Sequence, residues 1–149
     1  MAENSDSWPL VNVLLVEDDP ADVVLIREVF DQYKIRNQLH VVGDGDQALE
    51  FVHRTGHFTD APRPGLILLD INLPRRNGLE VLADIKSDND LMHIPVIMLT
   101  TSQAQEDILR SYRQHANAYI SKPLDFEQFT EAVRKIDEFF LTLVQLPRG

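Results

Sequence analysis

No cysteine occurs among the 149 residues. Disulfides and thiolate metal centres are therefore excluded, and any metal must be held by oxygen or imidazole. No run approaches the roughly 18 consecutive apolar residues of a membrane-spanning helix. Met1 to Ser7 lacks the basic start and apolar middle of a signal peptide, so a cytoplasmic protein with no membrane anchor is expected. Positive charge is scarce too: 14 Lys plus Arg face 24 Asp plus Glu, a formal charge of −10. That balance disfavours a broad electrostatic grip on nucleic acid and suits a basic protein partner. There is no Pro-, Gly- or Ser-rich linker, no internal repeat and no low-complexity segment. A short tail (1–10) followed by a single domain (11–149) is the expected organisation. What is present is ordinary globular material, 44% hydrophobic and 26% charged, enough to bury a sizeable core.

Apolar runs and periodicities then alternate along the chain. Val11 to Val16 reads as a buried strand, and Pro20 opens a helix whose Val23, Val24, Ile26 and Phe30 are expected to face inward. Leu39 to Val42 is the second strand. Gly43-Asp44-Gly45-Asp46 turns the chain into a helix through about Arg54, and a Pro-containing connection, Thr55 to Pro64, follows. Leu66 to Leu69 is the third strand, and Leu79, Leu82, Ala83 and Ile85 mark the third helix. Val96 to Leu99 is the fourth strand, Ile108 and Leu109 lie on the fourth helix, and Ala118 to Ser121 is the fifth strand. Phe126, Phe129, Val133, Ile136, Phe140, Leu143 and Val144 then repeat by threes and fours, the spacing of an extended C-terminal helix. Such alternation predicts a doubly wound α/β fold with a five-stranded parallel sheet, and the flavodoxin-like order 2-1-3-4-5 is the expected topology.

Three groups sit just past these strands: the acids of Val16-Glu17-Asp18-Asp19-Pro20, the aspartate of Leu69-Asp70, and the lysine of Ser121-Lys122-Pro123. Taken singly each has a bland explanation. An acid before a proline is often only a helix N-cap, an aspartate after a strand is often a loop acid, and a lysine before a proline is mostly surface. Their coincidence at the ends of parallel strands, with Thr100 in the same row, points to one ligand-binding edge. In the expected order strand 1 lies beside strand 3, so Glu17 and Asp18 adjoin Asp70. Carboxylates about 4 Å apart repel by about 4 kcal/mol per pair at an effective dielectric near 20, so a cation is drawn in, and Mg2+ suits an all-oxygen site.

These residues resemble the receiver domain of two-component response regulators, over nearly the whole chain. The resemblance implies that Glu17 and Asp18 help bind Mg2+, together with Asp70 and the backbone carbonyl of Asn72. It further implies that Asp70, in Leu69-Asp70-Ile71-Asn72-Leu73-Pro74 with Gly78 following, accepts a phosphoryl group from a phosphohistidine. Thr100 and Lys122 map onto the family's threonine or serine after strand 4 and its lysine before a proline after strand 5, and Tyr119 onto its aromatic switch position. The Lys122–Pro123 bond is cis by the same resemblance. One departure is Thr101, where the family has a smaller residue; its extra methyl and hydroxyl are expected to slow access to the phosphoryl group. The Ala61-Pro62-Arg63-Pro64 approach, Met98-Leu99-Thr100-Thr101-Ser102 and the chain ending look like small single-domain regulators paired with cyanobacterial phytochrome kinases. A light-sensing histidine kinase is the implied partner. No DNA-binding or enzymatic output segment follows the fifth helix, so the domain is expected to act through its own surface. Phe139, Leu141 and Leu146 fall off the main apolar stripe; they either pack further on the domain's own core or offer a self-association or docking patch, and a homodimer is expected.

Two other classes compete. Gly43-Asp44-Gly45-Asp46-Gln47-Ala48 imitates a dinucleotide fingerprint, but its aspartates would repel a pyrophosphate, and the fingerprint normally follows the first strand. An aspartyl-phosphate phosphatase dependent on Mg2+ shares the Asp, Thr and Lys, yet Asn72 replaces its second aspartate. His53 and His57 have helical metal-ligand spacing, but Gly56 is expected to break the turn between them, leaving both on the surface. Asp88, Asn89 and Asp90 read as a solvated loop, Trp8 as an anchor, and His93 and His115 have no evident partner.

Overall fold

The computed structural model describes residues 10–32, 37–101, 116, 118–122, 124–132 and 135. Five strands, β1 (Val11–Val16), β2 (Asn37–Val42), β3 (Leu66–Asp70), β4 (Val96–Thr100) and β5 (Ala118–Ser121), form one parallel sheet of order β2-β1-β3-β4-β5. This is the expected doubly wound, flavodoxin-like arrangement. β3 and β4 are buried at every residue, as central strands covered on both faces must be.

Alternate strand residues feed two cores. Leu14, Val16, Ile67, Leu69, Val96 and Met98 point to the face covered by α2 (Gly45–His53) and α3 (Gly78–Ser87). Val13, Leu15, Leu66, Leu68, Ile97 and Leu99 point to the face covered by α1 (Pro20–Asp31) and by the helical residues 126–132. There Phe30 meets Phe129 edge to face, with ring centroids 6.5 Å apart.

The helix starts are written locally. Asp19 caps α1, accepting from the Ala21 amide at 3.0 Å, with Pro20 in the first turn. Asp44 caps α2 by accepting from Gln47. Asn77 and Glu80 form a reciprocal capping box on α3. Arg54 ends α2 in a left-handed conformation, φ 59°.

One expectation fails on α1. Val24 is 58% exposed, and the buried residues are Ile26, Val29 and Phe30. Two residues turn a helix by about 200°, so Val24 and Ile26 cannot share a face; Val23, three before Ile26, does pack inward. β2 also begins two residues earlier than its apolar run, because Asn37 and Gln38 pair with Val11 and Asn12 at the sheet edge. The expected fourth helix at Ile108 and Leu109, the continuation of the last helix beyond 135, the patch at Phe139, Leu141 and Leu146, and Trp8, His115 and Pro123 lie outside the described residues. Among the described residues no helix is long and apolar enough to cross a membrane.

Candidate functional site

Register carries the chemistry to the C-terminal edge of the sheet. Val16 pairs with Leu69, so the residues that follow, Glu17 and Asp70, stand side by side. Thr100 pairs with Ser121, and the Lys122 amide donates to the Thr100 carbonyl at 2.6 Å. The Glu17 amide donates to the Val42 carbonyl at 3.0 Å, which anchors the β1–α1 connection on the other side.

Lys122 is the hub. Its Nζ lies 2.7 Å from Glu17 Oε1, 3.1 Å from Asp22 Oδ2 and 3.1 Å from Asp70 Oδ2. Burial works against its charge, but the hydrogen bonds to Glu17, Asp22 and Asp70 outweigh it and hold the ammonium pKa above the ordinary lysine value. Glu17 is the opposite case. Burial pushes its carboxyl up and the neighbouring Asp70 charge adds to this; Lys122 and the Asp19 amide pull it down, and the balance stands at about 7.

Asp70 is buried, only 2% exposed. Its Oδ1 accepts from the Asn72 amide at 3.2 Å and its Oδ2 from Lys122 Nζ at 3.1 Å, so both oxygens have fixed directions. Asp18 is exposed beside them, and Glu17, Asp18 and Asp70 each offer an oxygen within 4.8 Å of the others. The three acids before Pro20 thus divide their work: Asp19 takes the helix cap, leaving Glu17 and Asp18 to the pocket.

Among the described residues, buried Thr100 Oγ1 at this edge has no hydrogen-bond partner, and buried Glu17 Oε1 is met only by Lys122 Nζ. An unsatisfied buried polar group costs about 1–3 kcal/mol, and such a group in a native structure demands a reason. Glu17, Asp18 and Asp70, with oxygen donors only, fit a hard divalent cation. A hydroxyl with no acceptor at the same edge fits an incoming oxyanion.

Every sequence-predicted site residue is among those described. Glu17, Asp70 and Lys122 meet directly, Asp18 lies beside the two acids, and Thr100 joins them through its carbonyl bond to Lys122. Tyr119 sits on β5, half-buried against the core beneath α2 and α3. The Asn72 side chain donates to Thr101 Oγ1 at 3.1 Å, so the hydroxyl expected to crowd the pocket is engaged by Asn72. Asp22 was missed by sequence reasoning. An acid in the first turn of a helix that follows the acidic pair was the available signal. His53 and His57 share no site: His53 Nε2 approaches Asp84 Oδ1 at 2.6 Å on α3, whereas His57 approaches Glu50.

Comparison with known proteins agrees with this fold. A family model described as the response regulator receiver domain matches residues 13–134. The chain is 42% identical over 144 residues to Response regulator Rcp1 of Synechocystis sp., covering 97% of this chain and 98% of that protein. It is similar to the crystal structure of the Mn(2+)-bound form of Rcp1, with TM-score 0.76 and 42% identity over 88% of this chain and 94% of the other. It is also similar to the phosphorylated cyanobacterial phytochrome response regulator RcpA, with TM-score 0.78 and 41% identity over 91% and 96%.

Proposed function

The chain belongs to the response regulator receiver family, and on that premise we propose that it accepts a phosphoryl group on Asp70 from a sensor histidine kinase of the phytochrome class. Glu17, Asp18, Asp70 and the Asn72 backbone carbonyl hold Mg2+ in this reading. The observation that carries it is the contact of Lys122 Nζ with both Glu17 and Asp70, a cation beside a buried, pre-oriented carboxylate. That one relative was crystallised with Mn(2+), and another as a phosphorylated phytochrome response regulator, supports the metal, the modification and the partner.

An Asp70 oxygen attacks the phosphorus of a phosphohistidine. The P–O bond forms as the P–N bond breaks, and the departing electron pair stays on the imidazole nitrogen, leaving an acyl phosphate on Asp70. The transition state is loose, so catalysis is mostly positioning and charge neutralisation. The Asn72 amide and Lys122 fix the carboxylate, and Lys122 also offsets phosphoryl charge. Bound Mg2+ supplies further positive charge toward the carboxylate and phosphoryl oxygens. Thr100 Oγ1, which has no partner among the described residues, then donates to a phosphoryl oxygen. Its movement opens space for Tyr119 to turn, which reshapes the face made by β5 and the helices on either side of it in sequence.

The protein works in the cytoplasm as a signalling element rather than a turnover enzyme, without nucleic acid, and self-associates through residues 139–146. Transfer of label from an autophosphorylated phytochrome kinase to this chain, with matching loss from the kinase, tests the partner. Transfer from unrelated histidine kinases only would overturn that assignment. Sedimentation with and without beryllofluoride and Mg2+ tests the dimer, and a single-chain mass in both conditions refutes it.

A further inference from the structure

The loop that carries Asn72 is held from outside by a part of the fold with no role in the chemistry above. Residues 71–77 lead from β3 to α3, and their outer side rests on the N-terminus of α2. Gly45, the first residue of α2, donates its amide to the Pro74 carbonyl at 3.3 Å. A Cβ on Gly45 would overlap the Arg76 carbonyl oxygen and lie 2.7 Å from its carbon. On either side Asp46 Oδ1 accepts from Arg76 Nε at 3.1 Å, and Arg75 Nε lies 3.5 Å from Asp44 Oδ2. Arg75 has φ 70°, a left-handed conformation that a non-glycine residue keeps only where its surroundings impose it.

The inner side is equally tight. Gly78 donates to the Ile71 carbonyl at 2.8 Å, and a Cβ on Gly78 would overlap the Asp70 carbonyl oxygen and stand 2.8 Å from Ile71 Cα. Asn72, whose amide holds Asp70 Oδ1, lies between these two close approaches. Close-packed backbone transmits displacement rather than absorbing it.

We infer that Gly45, flanked by Asp44 and Asp46, is a positioning residue for Asp70. The N-terminus of α2 sets how far residues 71–77 stand from the pocket. Through the Asn72 amide it orients the Asp70 carboxylate, and so governs divalent-cation affinity and phosphoryl acceptance. This rests on the reading of Asp70 as phosphoacceptor.

The same turn supplies a control, because a Cβ on Gly43 meets nothing within 4 Å among the described residues. Gly45→Ala should weaken Mn2+ binding, followed by electron paramagnetic resonance, by about tenfold, the scale for losing a group that orients a ligand. It should also shift the Asn72 and Asp70 amide resonances of the metal-free chain and slow labelling by acetyl phosphate. Gly43→Ala should change none of these. Gly45→Ala matching Gly43→Ala in affinity and resonances would overturn the inference.

If Gly45→Ala does not fold, charge reversal decides. Asp46→Arg and Arg76→Asp should each weaken Mn2+ binding by about two- to threefold, as an exposed ion pair allows, and the double variant should restore it. Long-range charge alone would move the two single variants in opposite directions, and that result would overturn the inference. Should the unaltered chain bind no Mn2+ and take no label, the phosphoacceptor reading itself falls. An active unaltered chain with indifferent variants removes only the role of α2.

Discussion

Lys122 Nζ and Glu17 Oε1 lie 2.7 Å apart, joining the end of β5 to the end of β1 across the two central strands of the sheet. The same ammonium also reaches Asp22 and Asp70. It therefore serves as a resident counter-ion for a carboxylate cluster that is otherwise self-repelling.

Removing that counter-ion should destabilise the metal-free chain. Lys122→Ala leaves buried carboxylates unpaired, and breaking a buried ion pair costs about 3–5 kcal/mol. Denaturant unfolding should show a loss of this order without metal, with much of it recovered at saturating Mg2+. An equal loss with and without Mg2+ would mean that no cation takes over the role of Lys122.

Glu17 makes stability depend on pH. Its folded-state pKa, near 7, exceeds the ordinary 4.5, so the folded chain binds more protons than the unfolded chain between those values. The contribution is full below about 4.5 and is lost as pH rises through about 7. His40 acts in the opposite sense, because burial lowers its pKa from 6.5. The comparison must therefore be made against Glu17→Gln. Without metal, the unaltered chain should lose stability relative to Glu17→Gln as pH rises from 5 to 8, and Mg2+ should flatten or invert the difference. A constant difference across that range would remove Glu17 from the linkage.

Thr100→Val separates fold from switch. Among the described residues the buried Oγ1 has no hydrogen-bond partner, and exchanging an unsatisfied hydroxyl for a methyl group is close to neutral or stabilising, within about 1 kcal/mol. The thermal midpoint should hold or rise. Asp70 should still be labelled, while the Tyr119 ring resonances should no longer respond to phosphorylation. A Tyr119 response equal to that of the unaltered chain would exclude the Thr100 route.

The sheet is carried by short-range pattern. In β3 and β4 every residue is apolar except the last, and that exception marks where each strand ends, with Asp70 and Thr100 at the site. The acidic triplet before Pro20 was legible as a cluster but not in its division of labour. Only the backbone at 19–21 shows that Asp19 takes the cap. Asp22 was hidden because its role depends on Lys122, which is distant in sequence. Val24 departs from the expected face because the 3.6-residue period divides the four apolar residues of one helix. The contact of Gly45 with Arg76 has no local signature, since two loops far apart in the chain create it. The His53 pairing with Asp84 is of the same kind: α2 and α3 must be packed before it exists.

The most direct measurement is intact-mass and acid–base lability analysis of the unaltered chain and Asp70→Asn after incubation with acetyl phosphate and Mg2+. Phosphoryl acceptance at Asp70 predicts one added phosphoryl group, stable to brief acid and lost in alkali, on the unaltered chain, with none on Asp70→Asn and none after Mg2+ is chelated. Undiminished labelling of Asp70→Asn, or labelling indifferent to the metal, would contradict the assignment of this pocket.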